Sequence, residues 1–257
     1  MGVKRINFKN YCVKFKHSLR NFNFRKRKLK DKDSEMKIHR EGTNILILLF
    51  IVLAMLNVPI WLFMPPVVIP ACLTALSVIV YSFVFNFFRC PQRHYRGERK
   101  GMVVSSVDGK VVAVERTYEG EYLKSDAIML SVFMSPLNVH ANWFPVDGEV
   151  EYVKHHSGRF LSAYLPKAST DNERSTIGIE ADCGSRITVR QIAGAMARRI
   201  VTYARKGEEA SIDEHLGFIK FGSRVDIYLP VDCEILVKIG DITRGGVTPV
   251  AKFRNNV

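Results

Sequence analysis

Thr43 to Phe88 is a run of 46 residues without one Asp, Glu, Lys or Arg. A bilayer-spanning helix needs about 20 consecutive apolar residues. The run holds two such stretches, Asn44–Met64 and Val67–Phe88, separated by Pro65 and Pro66. It therefore predicts a transmembrane helical hairpin over residues 43–88, turned at the two prolines. Pro59 and Pro70 are expected to bend the helices, and a hairpin that crosses only part of the bilayer is the alternative. A buried pair of core helices is disfavoured by the length of uncharged chain. A cleaved signal peptide is disfavoured because a second apolar run follows the first.

The formal net charge of +13 suggests an anionic partner, nucleic acid or lipid. Its distribution separates the two. Residues 1–42 carry a balance of +10, whereas residues 89–257 carry +3. The basic character is a tail on a nearly neutral body. The tail, with KFKHSLRNFNFRKRKLK at its centre, adjoins a membrane span, so anionic lipid is its expected partner and nucleic acid is not. A second reading makes residues 1–35 an upstream extension, with Met36 as the start. Arg89, Arg93, Arg96, Arg99 and Lys100 follow the second span and are expected to face the anionic leaflet. Basic residues at both ends of the hairpin place tail and body on the cytoplasmic side of the cell membrane. The five cysteines, at 12, 72, 90, 183 and 233, form no CxxC pair. Neither a disulfide framework nor a structural metal is expected.

Beyond residue 100 the chain breaks into strand-sized runs rich in Val, Ile, Phe and Tyr, such as KVVAVERTY, AIMLSVFM, EVEYVKH and VDIYLP. Asp108–Gly109, Asp147–Gly148 and Gly245–Gly246 read as turns between them. Ala193–Arg205 has helical spacing of Ala193, Met196, Ile200 and Tyr203 and is predicted to be a helix. The fold class expected is mainly β with a few helices (α+β). Residues 89–257 would form one sandwich-like or barrel-like domain behind the hairpin.

Three stretches carry candidate chemistry. Ser105–Lys110 holds Asp108 in what reads as a simple hairpin turn. Phe133–Asn142 places His140 just past a strand, as a general base or as a packed loop residue. Phe218–Asp226 contains Gly222–Ser223, either a turn or a nucleophile beside an exposed peptide bond. None is diagnostic alone.

In combination and order, the chain resembles the short, membrane-anchored prokaryotic phosphatidylserine decarboxylases. The likeness covers roughly residues 36–257. It rests on FFRCPQR, VDGKV, FMSPLNVHAN, PVDGEV, KASTDNERS, QIAGAMARRIV, GFIKFGSRVDIYLP and KIGDITRGGVTPVA. The resemblance implies that Ser223 attacks the Gly222 carbonyl and that the chain cuts itself into 1–222 and 223–257. Ser223 then becomes a covalent pyruvoyl group, with His140 as base and Asp108 as its orienter. It further implies that phosphatidylserine condenses with that group as a Schiff base and loses CO2 to give phosphatidylethanolamine, with no metal. The two products of cleavage would stay together as a heterodimer, with higher oligomers open.

Some family members carry a second His where this chain has Trp143. Either His140 does both proton transfers, or His155, His156 or His215 assists. Trp143 and Phe144 either dip toward the acyl boundary or pack in the core. Asn172, Glu173 and Arg174 contact the headgroup or brace a loop. Cys90 stands where an acidic residue is common and is given no role. Two alternatives remain: a pyruvoyl decarboxylase of a soluble amino acid, and a non-catalytic anchored module, since KIGDITRGGVTPVA resembles a lipoyl-type hairpin.

Overall fold

The computed structural model describes residues 36–63, 67–161, 163, 168–194, 199–220 and 223–254. The expected turn residues Pro65 and Pro66 and the residue Gly222 lie outside these.

Two apolar helices open the described chain, α1 (Arg40–Phe63) and α2 (Val68–Phe87), of 24 and 20 residues. At 1.5 Å per residue they are about 36 and 30 Å long, enough to cross a hydrocarbon core of about 30 Å. Pro59 sits inside α1 without ending it. Only 6% of the most apolar stretch of each helix is buried within the protein. A soluble core pair would hide that surface, so the hairpin is a membrane anchor. Polar side chains tie the helices together. Asn57 Nδ2 donates to Ser77 Oγ at 2.9 Å, and Thr74 Oγ1 donates to Asn57 Oδ1 at 3.0 Å. Such bonds within a membrane contribute about 0.6–2 kcal/mol each.

Strand β1 (Met36–Ile38) pairs with β2 (Arg89–Pro91) and closes the base of the anchor. Phe87, Phe88, Cys90, Val139, Ala141, Trp143 and Phe218 form a small apolar cluster that joins this base to the body.

The body follows with β3 (Met102–Val104), β4 (Gly109–Glu119), β5 (Ser125–Met134), β6 (Ala141–Trp143) and β7 (Gly148–His156). A short helix α3 (Ala168–Asp171) precedes β8 (Arg174–Ala181), β9 (Arg186–Ile192) and β10 (Arg199–Thr202). The remaining strands are β11 (Glu209–Ala210), β12 (His215–Lys220), β13 (Ser223–Pro230), β14 (Glu234–Ile235), β15 (Ile242–Thr243) and β16 (Pro249–Lys252). Eight of them form a curled antiparallel sheet in the order β11-β7-β8-β9-β13-β5-β4-β15. Two three-stranded sheets, β10-β12-β6 and β14-β16-β3, lie beside it. Bulges between Val111 and Ala113 and between Val150 and Tyr152 bend the large sheet. Val225, Ile227 and Leu229 alternate along β13 into the main core, with Leu130, Val132, Ile177, Ile179 and Val189.

Two local expectations are corrected. Arg199–Thr202 is strand, not part of a helix over 193–205; residues 195–198 lie outside the described chain. The edge of β12 offers a register of four residues to Arg199–Thr202. The β-branched Ile200 and Val201 suit that edge better than a helix, and tertiary pairing overrides the propensity of the alanines. The Asp108–Gly109 and Asp147–Gly148 pairs are not hairpin turns. Each glycine is the first residue of a strand that enters the large sheet, and neither has a positive φ. Glycine is needed there for space: a Cβ would lie 2.3 Å from the Phe133 carbonyl oxygen at Gly109, and 2.1 Å from that of Glu180 at Gly148. The C-terminal segment is no separate lipoyl-like module, because β15 pairs with β4 and β16 with β3.

Gly148 lies at the Asp147 joint rather than at those of Asp108, His140 or Ser223, and tests the packing. Gly148→Ala should cost about 1–3 kcal/mol through the forced shift of β8. Thermal unfolding of the detergent-solubilised protein should show a midpoint lower by several degrees, while Lys110→Ala on the exposed face should leave it unchanged.

Candidate active site

The candidate residues sit where the chain passes between sheets. Asp108 ends the β3–β4 joint, His140 ends the β5–β6 joint, and Ser223 begins β13 directly after the β12–β13 joint. The joints are neighbours. Trp143 N–H donates to Ser106 O at 2.8 Å, and Ile219 N–H donates to His140 O at 3.3 Å. The pairs Ala141↔Phe218 and Met134↔Ser223 bracket the seam between the second and third joints.

His140 is fully buried. Its ring lies 4.0 Å from that of Phe87, the last residue of the anchor. Its Nδ1 is 2.9 Å from the Asn138 carbonyl oxygen. A carbonyl only accepts, so Nδ1 carries the proton and the Nε2 lone pair is the basic one. Burial pushes the imidazole down to about 4, with the Arg89 charge acting the same way. The Asn138 bond and the Asp108 charge oppose it. The ring is therefore neutral at physiological pH, the form a general base requires.

Ser223 is fully buried, and its hydroxyl points at Met134 Sδ, a weak acceptor, at 3.2 Å. Asp108 is held differently from what a catalytic triad would suggest. Both its oxygens are taken by the Arg93 guanidinium, Nη2 reaching Oδ2 at 2.9 Å, and Oδ1 also accepts from Gly245 N–H at 2.9 Å. Among the described residues the contact that orients His140 Nδ1 is Asn138, and Asp108 acts on the ring through its charge.

Arg93 escaped the sequence reading, which grouped it with a lipid-facing cluster. It is buried, donates to Gly245 O at 2.8 Å, and lies 4.6 Å above the Trp143 ring. Arg89 also turns inward, to the carbonyls of Asn86 and Leu137, and Arg99 pairs with Asp147 and Asp213. Arg96 and Lys100 are the exposed members. The two Asp-Gly joints thus repeat one device: Asp108 is held by Arg93 and Gly245 N–H, Asp147 by Arg99 and Ile212 N–H. The position of Arg93, five residues past the apolar span, was the signal available.

Trp143 and Phe144 are buried and do not reach toward lipid. The histidines offered as helpers lie elsewhere: His155 beside Glu173, His156 on Glu121, and His215 beside Cys90. Asn172 braces a loop, bonding the backbone of Leu161 and Ala193.

A β-rich body with a membrane hairpin and a buried Ser–His pair of segments at a sheet junction defines a membrane-anchored enzyme scaffold. Comparison with known proteins sharpens this. The family model described as phosphatidylserine decarboxylase matches residues 80–251. A phosphatidylserine decarboxylase proenzyme of Bacteroides fragilis is 53% identical over 221 residues, covering 86% of this chain and 96% of that protein. Proenzymes of the same name from Bacteroides thetaiotaomicron and Parabacteroides distasonis are 49% and 46% identical, covering 86% and 85% of this chain and 96% and 99% of theirs. The chain belongs to the phosphatidylserine decarboxylase family.

Two outcomes follow from the electrostatics. Arg93→Met should leave the Asp108 carboxylate buried without its partner and cost about 3–5 kcal/mol in denaturant unfolding, while the Arg93→Met/Asp108→Asn double variant recovers part of that loss. His140, His39 and His215 all lie near 4 in the fold against 6.5 in the unfolded chain. Below about 6.5 the unfolded state then binds more protons, so stability falls as pH drops from about 6.5 toward 4, by about 1.4 kcal/mol per pH unit per group. His140→Asn should lessen that slope in pH-dependent melting.

Proposed function

We propose that the chain decarboxylates phosphatidylserine to phosphatidylethanolamine and CO2, using a pyruvoyl group that it makes from Ser223 by cutting itself after Gly222. The observation that carries this reading is that a fully buried serine and a fully buried, neutral imidazole lie on neighbouring joints at one sheet junction. The relatives' shared name, proenzyme, agrees with it.

The chemistry follows from those groups. His140 Nε2 takes the Ser223 hydroxyl proton. The oxygen attacks the Gly222 carbonyl carbon and replaces the amide nitrogen, giving an ester. Elimination removes the Ser223 Cα proton to a base, breaks the Cβ–O bond to leave a Cα=Cβ double bond, and frees residues 1–222 with a terminal carboxylate. One water then replaces the nitrogen, which leaves as ammonia. A pyruvoyl group at the head of residues 223–257 would lie buried beside Met134, which suits a carbonyl that must be shielded from water. That carbonyl supplies the electron sink that accepts the electrons released with CO2.

His140 is also the group that returns a proton to the substrate α-carbon. Trp143 carries no exchangeable acid, so both transfers fall to the one histidine. The Asp108 charge eases each by favouring the transient imidazolium. The 35-residue product stays bound because β13 is hydrogen-bonded on both sides, to β5 and β9. Domain limits follow: a basic segment 1–42, the anchor 43–88, and the catalytic body 89–257. The anchor ends against His140, which keeps the reacting groups at headgroup level. The body lies on the cytoplasmic side, with exposed Arg96 and Lys100 and the basic segment toward the anionic leaflet.

Intact mass spectrometry of the purified protein should show two chains, the smaller of 35 residues and blocked at its N-terminus. Ser223→Ala should remain one chain with no release of CO2 from phosphatidylserine vesicles, and His140→Ala should slow cleavage at least about 100-fold. A wild-type chain that stays whole at 29.3 kDa yet decarboxylates the lipid would refute the pyruvoyl mechanism. A cleaved chain inert toward phosphatidylserine but active on a free amino acid would refute the substrate.

A further inference from the structure

At the base of the anchor, on the side of Phe218 where His39 stacks at 4.2 Å, three side chains with metal-ligating atoms converge. His39 precedes α1, Cys90 is the middle residue of β2, and His215 opens β12. Their ligand atoms all lie within 4.8 Å of one another. Cys90 Sγ and His215 Nε2 are 3.6 Å apart. Around a tetrahedral zinc ion, with Zn–S of about 2.3 Å and Zn–N of about 2.0–2.1 Å, a sulfur and a nitrogen stand about 3.5 Å apart. The observed edge already has that length.

The contacts these groups make without a metal are poor. His39 and Cys90 are less than a tenth exposed. Among the described residues, His39 Nδ1 receives a long contact from Glu41 N–H, 3.3 Å, and its Nε2 lies 3.5 Å from Tyr203 Oη. Turning either nitrogen toward a cation gives up little. Buried polar groups usually make better bonds than these. Beside the cluster is a cavity of about 390 Å³, lined in part by Ile38, Arg40, Gln92 and Tyr203. It leaves room for a fourth ligand, water or a small anion.

We propose that His39, Cys90 and His215 form a binding site for a thiophilic divalent cation of the Zn2+ class, with one position open to the cavity. The Cys90 thiol releases its proton to solvent as the sulfur binds, one proton per cation, and the two imidazoles give their lone pairs. The surroundings select the metal. Arg40, Arg93 and Lys220 place positive charge near the histidines, with Glu41 opposing it at His39. A hard cation held by charge alone is disfavoured there, and a thiolate-bonded soft one is not. The cation would tie β1, β2 and β12 together. It would thereby link both ends of the anchor to the strand that leads into Gly222–Ser223.

The test uses full-length, tag-free protein in detergent. After equilibration with ZnCl2 and removal of free metal, elemental analysis should find one zinc per chain. Substitution with Co2+ should give a thiolate-to-cobalt charge-transfer band. Cys90→Ser should abolish the band and, like His215→Gln, weaken metal binding at least about 100-fold, while Cys72→Ser and Cys183→Ser keep both. Wild-type protein that retains no zinc, or a Cys90→Ser variant that binds as well, overturns the proposal. An independent measurement needs no variant. Zinc should slow alkylation of wild-type Cys90 by N-ethylmaleimide at least about tenfold, with Cys183 unaffected, and equal rates with and without zinc overturn it as well.

Discussion

The buried ion pair of Arg93 and Asp108 is the constraint on which the arrangement of the site depends. Both residues are less than a tenth exposed, and either charge left alone in that place would be costly. The pair therefore forces four pieces of chain to meet. Arg93 comes from the exit of the anchor and Asp108 from the β3–β4 joint. Gly245 comes from the β15–β16 joint and offers both its N–H and its carbonyl. Trp143, from β6, lies under the guanidinium, and a Cβ on Gly245 would come within 2.6 Å of its ring. Once these are fixed, the negative charge that acts on His140 is fixed with them.

The chemistry sits at sheet junctions because a strand interior cannot supply it. Within a ladder every backbone group is committed to a neighbour. Where the chain leaves one sheet for another, side chains such as Ser223 and His140 are buried on neighbouring joints without the ladder's demands. Burial has a second effect. It keeps the imidazole neutral and so ready to accept a proton, whereas the Asn138 carbonyl selects which nitrogen does so. The anchor takes part directly, since Phe87, its last residue, forms a wall against that ring. Distance from the bilayer is thus built into the site rather than set by a flexible tether.

Much of the architecture was legible in the sequence. The uncharged run over 43–88 reads as two spans because no other environment accepts so long an apolar surface. The β character of the body follows from short Val- and Ile-rich runs. Ser223, His140 and Asp108 were singled out by likeness to a family, since each has an ordinary local explanation. What was not legible concerned partners far apart in sequence. Arg93 looked like one more basic residue beside a membrane, yet its partners are 15 and 152 residues away. Arg199–Thr202 looked helical by spacing, and became strand because β12 presented an edge.

By itself the sequence determined the membrane hairpin and the β-rich body. These are properties of local periodicity and composition, which a single chain records directly. The tertiary structure alone decided which charges are buried, which nitrogen of His140 is basic, and that Trp143 is core rather than lipid-facing. It also decided that His39, Cys90 and His215, with 50 and 124 residues between them, share one corner. Such outcomes depend on desolvation and on long-range pairing, and both exist only after the sheets have closed around them.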